Sequence, residues 1–277
     1  MRKNTRRTPT TRARDRRARA SRTSAIDKLP ALELPTGTRA HRQALAILGN
    51  GEETLPRRME ALRVLQAATF AEPQFDAVRA DYIVALRKLV HDPEPELRHR
   101  ALGFLSRGHD DYAQATLLEG LRHPDKALVS PGDALAYLSY NAHAGAQSIA
   151  RSLFKESKDH VVREQALRVM ASDPAARRMI RTTLADRNEP VSIRQMSAAA
   201  LHALDPQALQ DWAVKAVLDK TEPEDIVATG LTAMNQFSDA TRISGNAALR
   251  KRIGEMRTKG SGVMKRLAKS ITAKHKL

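Results

Sequence analysis

The sequence predicts an all-α chain, an α-α superhelical solenoid of about six stacked helical hairpins, and three observations predict it. The first is a cadence: a small residue, usually Leu, two further residues, then Leu or Met. It reads "ALRVL" at 61–65, "ALGFL" at 101–105, "ALAYL" at 134–138, "ALRVM" at 166–170, "SAAAL" at 197–201 and "GLTAM" at 230–234. The anchors are spaced 40, 33, 32, 31 and 33 residues apart, the period of repeats built from paired helices. The second is proline in step with the cadence. Asp173-Pro174 and Asp205-Pro206 lie 32 apart, Pro190 and Pro223 lie 33 apart, and Pro93 and Pro124 lie 31 apart. The third is composition: 42% hydrophobic residues but only 4% aromatic ones leave Ala, Leu, Val, Ile and Met to fill the core. Those residues suit stacked helices better than a β-sandwich.

Charge divides the chain from its N-terminus onward. Residues 1–24 hold ten Arg/Lys and one acid, Asp15, a net of +9. With Thr, Ser and Pro between the cations and no apolar periodicity, this arm is expected to be disordered. It has no apolar core of the kind a secretory signal needs, and its alanines are too few for an amphipathic transit peptide. Residues 25–38, "AIDKLPALELPTGT", read as a linker, so residues 1–38 form a basic arm and linker. The repeats follow over 39–241. A basic helical cap is expected over 242–277, where eleven Arg/Lys face a single acid, Glu255, a net of +10. The total of +16 leaves −3 for residues 25–241, so the body between the basic ends is nearly neutral.

Each repeat reads as two helices. "AARRMIRTTLADRNEP" sets Met179, Ile180 and Leu184 on one face and breaks at Asn188–Pro190. "VSIRQMSAAALHAL" sets Ile193, Ser197, Leu201 and Leu204 on one face and stops before Asp205-Pro206. Asp at the N-cap with Pro at the first helical position is a strong start signal. One such hairpin cannot bury its own apolar face, but several stacked make a continuous core. The small anchor lets neighbouring backbones approach closely. In the cap, Ser261 is the expected helix start. Val263, Met264, Leu267, Ala268 and Ile271 then share a face, as Leu249, Ile253 and Met256 do just before.

The turn and the helix after it carry a further signature: an Asp-containing turn, an aliphatic residue, Arg, and the small anchor three residues on. Leu97-Arg98-Ala101, Val162-Arg163-Ala166 and Ile193-Arg194-Ser197 have it, Arg58-Ala61 has part of it, and Pro131 and Val227 replace the Arg in two repeats. This pattern, over residues 40–236, resembles HEAT repeats, in particular the short units of the bilin-lyase type. The resemblance implies that Arg58, Arg98, Arg163 and Arg194 form a structural ladder, bonded to turn acids such as Asp92, Asp159 or Asp186. It also brings an alternative, since some HEAT-like proteins are alkylpurine DNA glycosylases and others are modifying lyases. A glycosylase-type site would need a buried carboxylate beside an aromatic residue such as Trp212 or Tyr82. Trp212 itself, with Ala208, Leu209 and Ala216 at helical spacing, reads as a core residue.

Nothing else in the sequence carries catalytic chemistry. With no cysteine, thiolate zinc sites, disulfides and Cys nucleophiles are excluded. His91, Asp92, His99, His109, Asp110 and Asp111 form the densest polar group, but without a metal-ligand spacing. Phosphate-binding glycine loops and the GxSxG elbow are absent. The expectation is therefore that the chain is not an enzyme and takes no cofactor. It is expected to be a cytoplasmic scaffold or adaptor that binds a protein partner through the solenoid, without a transmembrane segment. Its basic ends are candidate contacts for DNA, RNA or another polyanion, gaining affinity by counterion release. In the arm these are Arg6, Arg7, Arg12, Arg14, Arg16, Arg17 and Arg19, and in the C-terminal helix Lys265, Arg266, Lys269, Lys274 and Lys276. A third possibility is a peripheral membrane adaptor using that helix, which lacks the interfacial Trp or Phe such helices use.

Overall fold

The computed structural model describes residues 37–71, 73–141, 144–237 and 240–275. The basic arm, including Arg6, Arg7, Arg12, Arg14, Arg16, Arg17 and Arg19, lies outside the described residues, as does Lys276. Among the described residues there are fifteen α-helices, three short 3-10 segments and no strand. The chain is an all-α solenoid of helical hairpins, and it divides into two compact units, residues 1–105 and 106–277.

In the first unit α1 (Thr38–Gly49) packs on α2 (Leu55–Ala71), and a 3-10 turn at Pro73–Val78 leads into α3 (Arg79–Leu89) and α4 (Pro95–Arg107). Its core is held by a chain of edge-to-face rings. His41 meets Phe75 at 5.4 Å, Phe75 meets Tyr82 at 5.4 Å, and Tyr82 meets Phe104 at 5.5 Å. Edge-to-face pairs set the positive ring edge against the negative face of the next ring and add to what burial alone contributes. A chain so poor in aromatics thus concentrates four rings at one point.

The second unit is a double row. Its first-row helices are α5 (Asp111–Arg122), α7 (Ala144–Glu156), α9 (Arg177–Ala185), α11 (Pro206–Leu218) and α14 (Ala247–Lys259). The second-row helices are α6 (Pro131–Leu138), α8 (His160–Met170), α10 (Val191–Leu204), α12 (Glu224–Phe237) and α15 (Gly262–His275). A short α13 (Ala240–Ser244) precedes α14. Each first-row helix packs on the second-row helix that follows it, and the second row is continuous, α6 on α8, α8 on α10, α10 on α12 and α12 on α15. Residues 247–275 therefore build one more hairpin of the same kind, with α14 against α11 and α15 against α12.

Local signals start these helices. Asp110, Ser130, Asp159, Asp205, Asn246 and Ser261 each accept a backbone N–H of the first turn, satisfying one of the donors a helix start leaves open. Pro131 and Pro206 stand at the first helical position, where their missing N–H costs nothing. The small anchors are buried throughout: Ala61, Ala101, Ala134, Ala166, Ser197 and Gly230. At Gly230 a Cβ would lie 3.2 Å from the Ala213 carbonyl oxygen and 3.2 Å from Val217 Cγ2. The anchor is what lets α12 close on α11.

Enlarging an anchor should therefore cost stability. Ala166→Leu, at a position with 0% exposure, is expected to lower it by about 1–3 kcal/mol through overpacking. Trp212, the single tryptophan, lies in the second unit and reports its urea transition by fluorescence. A midpoint that does not fall would show that the seam tolerates a large side chain.

Candidate functional site

Three arginines of the predicted ladder perform one task. Arg194 Nε donates to the Leu184 carbonyl at 3.0 Å, and its two terminal nitrogens donate to the Glu222 carboxylate at 2.8 Å each. Arg163 Nε donates to the Phe154 carbonyl at 3.2 Å, and its fork meets Glu189 at 2.9 and 2.6 Å. Arg58 Nε donates to the Leu48 carbonyl at 3.1 Å, and its fork pairs with Asp92. In each case Nε satisfies a carbonyl near the end of the hairpin's own first helix. The planar fork then grips a carboxylate near the turn of the following hairpin, the geometry in which Arg–carboxylate pairs are strongest. Arg58 is 5% exposed and Arg194 2%, so neither charge is offered to an external polyanion.

The carboxylates are not all those the turns suggest. Asp159 is spent capping α8 at Val161, and Asp186 accepts from the Asn188 amide, so the longer Glu189 and Glu222 reach the guanidinium instead. Arg98 departs from the ladder geometry. Its Nη1 donates to the carbonyls of Asp92 and Pro93 at 2.7 and 2.9 Å and so pins the "DPEP" turn of its own hairpin. Where Val227 occupies the arginine position, the carbonyl ten residues earlier, Val217, accepts from Arg252 Nε of α14 at 3.3 Å. A guanidinium from the next hairpin fills that register.

Trp212 is half-buried rather than a core residue. It lines a groove of about 620 Å³ between α9 and α11, with Arg181, Thr182, Asp186 and Lys215 around it. Its i±4 neighbours are alanines, too small to cover an indole. Asp186 and Asp211 beside it are exposed, and Asp211 pairs with Arg242 at 2.7 Å. Tyr82 lies deep in the first unit, where burial pushes its phenol well above the ordinary range. Neither residue has a buried carboxylate beside it among the described residues. Of the dense polar group, Asp92 is paired with Arg58 and Asp110 caps α5. Among the described residues no three His, Asp or Glu side chains cluster as metal ligands would.

The second row carries a different surface. A groove of about 540 Å³ runs over α10, α12 and α15, lined by Ala199, Ala228, Thr232, Phe237, Val263 and Leu267. Phe237 and Val263 are each 44% exposed, and the His202 ring stacks on Phe237 at 3.7 Å. The walls are tied together. Gln195 Nε2 donates to Thr229 Oγ1 at 3.1 Å, Asn235 Nδ2 donates to Ser270 Oγ at 3.0 Å, and Lys274 donates to the Asn235 carbonyl. Of the C-terminal cations, Lys265, Arg266 and Lys269 are exposed on α15, and Lys274 is held at the far end of the groove. Periodicity placed the apolar residues of α15 on one face. It could not reveal that Val263 and Leu267 would line an open valley shared with Phe237.

No family model matches the chain, and no curated protein does. Among solved structures it is similar to human deoxyhypusine hydroxylase in complex with glycerol, 14% identical with a TM-score of 0.36, over 86% of this chain and 96% of that one. That protein is a hydroxylase, and this finding corrects the expectation that the chain is not an enzyme. The lack of a catalytic signature in a helical-repeat sequence does not exclude activity. Among the described residues, no helix is long and apolar enough to cross a membrane.

The Arg194–Glu222 pair gives a direct test of the rungs. Removing Arg194 leaves the buried Glu222 with only the exposed Arg187 at 3.7 Å, so Arg194→Met is expected to cost a large part of the ~3–5 kcal/mol of a fully stranded buried charge. Adding Glu222→Leu should recover most of that loss. Urea denaturation followed at Trp212 measures both. A single-variant loss below about 1 kcal/mol, the range of surface pairs, would show that the rung holds nothing.

Proposed function

We propose that this chain is a HEAT-like repeat protein that holds a protein partner on the second-row face of its second unit, while its basic ends contact nucleic acid. The observation that carries this reading is the open apolar groove over α10, α12 and α15, with Phe237 and Val263 part-exposed on it. Large apolar side chains grouped in a concavity mark binding surfaces more than scattered ones do. The ladder arginines do not compete with that role, because their guanidinium groups are consumed within the stack. The nucleic-acid part rests on the ten cations against one acid in residues 1–24 and on the exposed Lys265, Arg266 and Lys269. The Arg- and Ala-rich, cysteine-free composition fits a cytoplasmic setting.

Photo-crosslinking from the full-length protein in cells tests both parts. A photoreactive residue at Thr232, in the groove, is expected to give a discrete protein adduct that nuclease leaves unchanged. One at Thr11, in the arm, is expected to give adducts that nuclease collapses. No protein adduct from Thr232, or the same adduct from Arg181 on the first row, would overturn the docking reading. Nuclease-resistant adducts from Thr11 would overturn the nucleic-acid part.

A further inference from the structure

The groove between α9 and α11 holds the chain's single tryptophan, and the residues around it indicate what it fits. The two helices run parallel. Arg177 at the start of α9 meets Asp205 at the start of α11 at 4.0 Å, and Arg187 just past the end of α9 pairs with Asp219 just past the end of α11. Between these ties each helix presents one stripe at i, i+3, i+4 and i+7. On α9 it is Arg178, Arg181, Thr182 and Ala185, all exposed; on α11 it is Ala208, Asp211, Trp212 and Lys215. All of these but Arg178 line the groove. Among the described residues the indole has no hydrogen bond and no other ring against it.

Four charged side chains line the space, and they are not equivalent. Asp211 is neutralised at 2.7 Å by Arg242 of α13, which does not line the groove. Asp186 accepts the Asn188 amide in the turn after α9. Arg181 and Lys215 form no ion pair among the described residues, and neither does Arg178, one turn before Arg181 on the same stripe. The helix α9 carries three arginines and no acid. The groove therefore offers one open aromatic face with an unspent cation on each wall. A protein interface gathers several large apolar anchors, and here there is a single ring. A nucleotide carries the two matching parts, a flat base to stack on the indole and phosphates for the cations, and such stacking accepts every base. A duplex keeps its bases inside, so the strand must be unpaired. The chain has no glycine-rich loop to cradle the phosphates of a free nucleotide, whereas side-chain cations along an open groove suit a continuous strand.

We propose that the groove between α9 and α11 binds single-stranded nucleic acid, one base stacked on Trp212 and the adjoining phosphates on Arg181 and Lys215, with Arg178 extending the track. This goes beyond the contacts assigned to the basic ends, because it puts a strand-selective site in the body of the second unit. It uses the first row and leaves the protein-docking groove of the second row free.

Because Trp212 is the only tryptophan, its emission reports this groove and not the basic ends. Full-length protein is titrated with oligothymidylate and oligouridylate of about 12 nucleotides, within the site sizes of single-strand grooves. Anisotropy of the labelled strand reads binding, and tryptophan emission reads the groove. An abasic strand of equal length, a duplex and thymidine monophosphate serve as comparisons. At saturation one or both single strands are expected to quench the emission by about half, while the abasic strand and the duplex, held by charge alone, change it by less than about a tenth. Trp212→Ala should weaken binding of the quenching strand about tenfold and leave the abasic strand unchanged, a selectivity that a misfolded variant could not give. Arg181→Glu with Lys215→Glu, both exposed, should abolish the quench without moving the urea midpoint. Equal quenching by duplex or abasic strand, thymidine monophosphate binding as tightly as the strand, or no binding of either single strand would overturn the proposal. If the single strands bind without quenching, this site falls and the nucleic-acid reading of the basic ends stands.

Discussion

A guanidinium that joins two hairpins is the interaction on which the stack depends. Arg58, Arg163 and Arg194 each close the first helix of their own hairpin at Nε and hold the following hairpin by its carboxylate. The bond is directional, so it sets how far one hairpin turns against the next, something that apolar burial alone leaves loose. It is also almost dry at Arg58 and Arg194, and in that setting an unpaired charge costs far more than a well-formed pair contributes. A repeat must therefore supply the carboxylate its predecessor requires. Where Val227 breaks the series, Arg252 enters from the next hairpin and takes the carbonyl that a rung arginine would have used. The requirement for a donor at that carbonyl persists even though the residue that meets it has moved.

The small anchors meet the complementary condition. A rung fixes orientation, and an Ala, Ser or Gly at the close approach allows the helices to reach the distance at which the rung forms. Together they keep α6, α8, α10, α12 and α15 in one continuous row. The docking valley follows from this construction, because parallel helices at regular spacing leave grooves between them. What makes the last valley distinctive is its side chains: Phe237 at the C-terminal end of α12, and a final helix without a single acid.

Much of this was legible in the residues. The period, the small anchors, the Asp-Pro helix starts and the Ser261 cap are local or periodic signals, and the folded chain follows each of them. The ladder arginines were legible as a register, and so was Asp92 as the partner of one of them, but not Glu189 and Glu222, because choosing Glu189 over Asp186 depends on side-chain reach across a turn. Trp212 was misread because helical spacing says which residues share a face and not whether that face is covered. The ring chain of His41, Phe75, Tyr82 and Phe104 was invisible for a similar reason, since its members come from separate helices and a 3-10 turn. Arg252 gave no signal at all, as its role exists only because Val227 stands elsewhere in the chain. The valley of α10, α12 and α15 belongs with these: each wall was readable, but the space between them required the packing.

The central claim is that the basic C-terminal hairpin is an integral repeat of the second unit, tied into the row and not a tail laid on it. Native-state hydrogen exchange of the full-length protein across low urea concentrations tests this most directly, because segments that open together share one free energy and one denaturant dependence. The account predicts that the buried amides of α15 open together with those of α10 and α12. Exchange of α15 at a much lower free energy, while α10 and α12 stay protected, would contradict it and leave the docking valley with only one fixed wall.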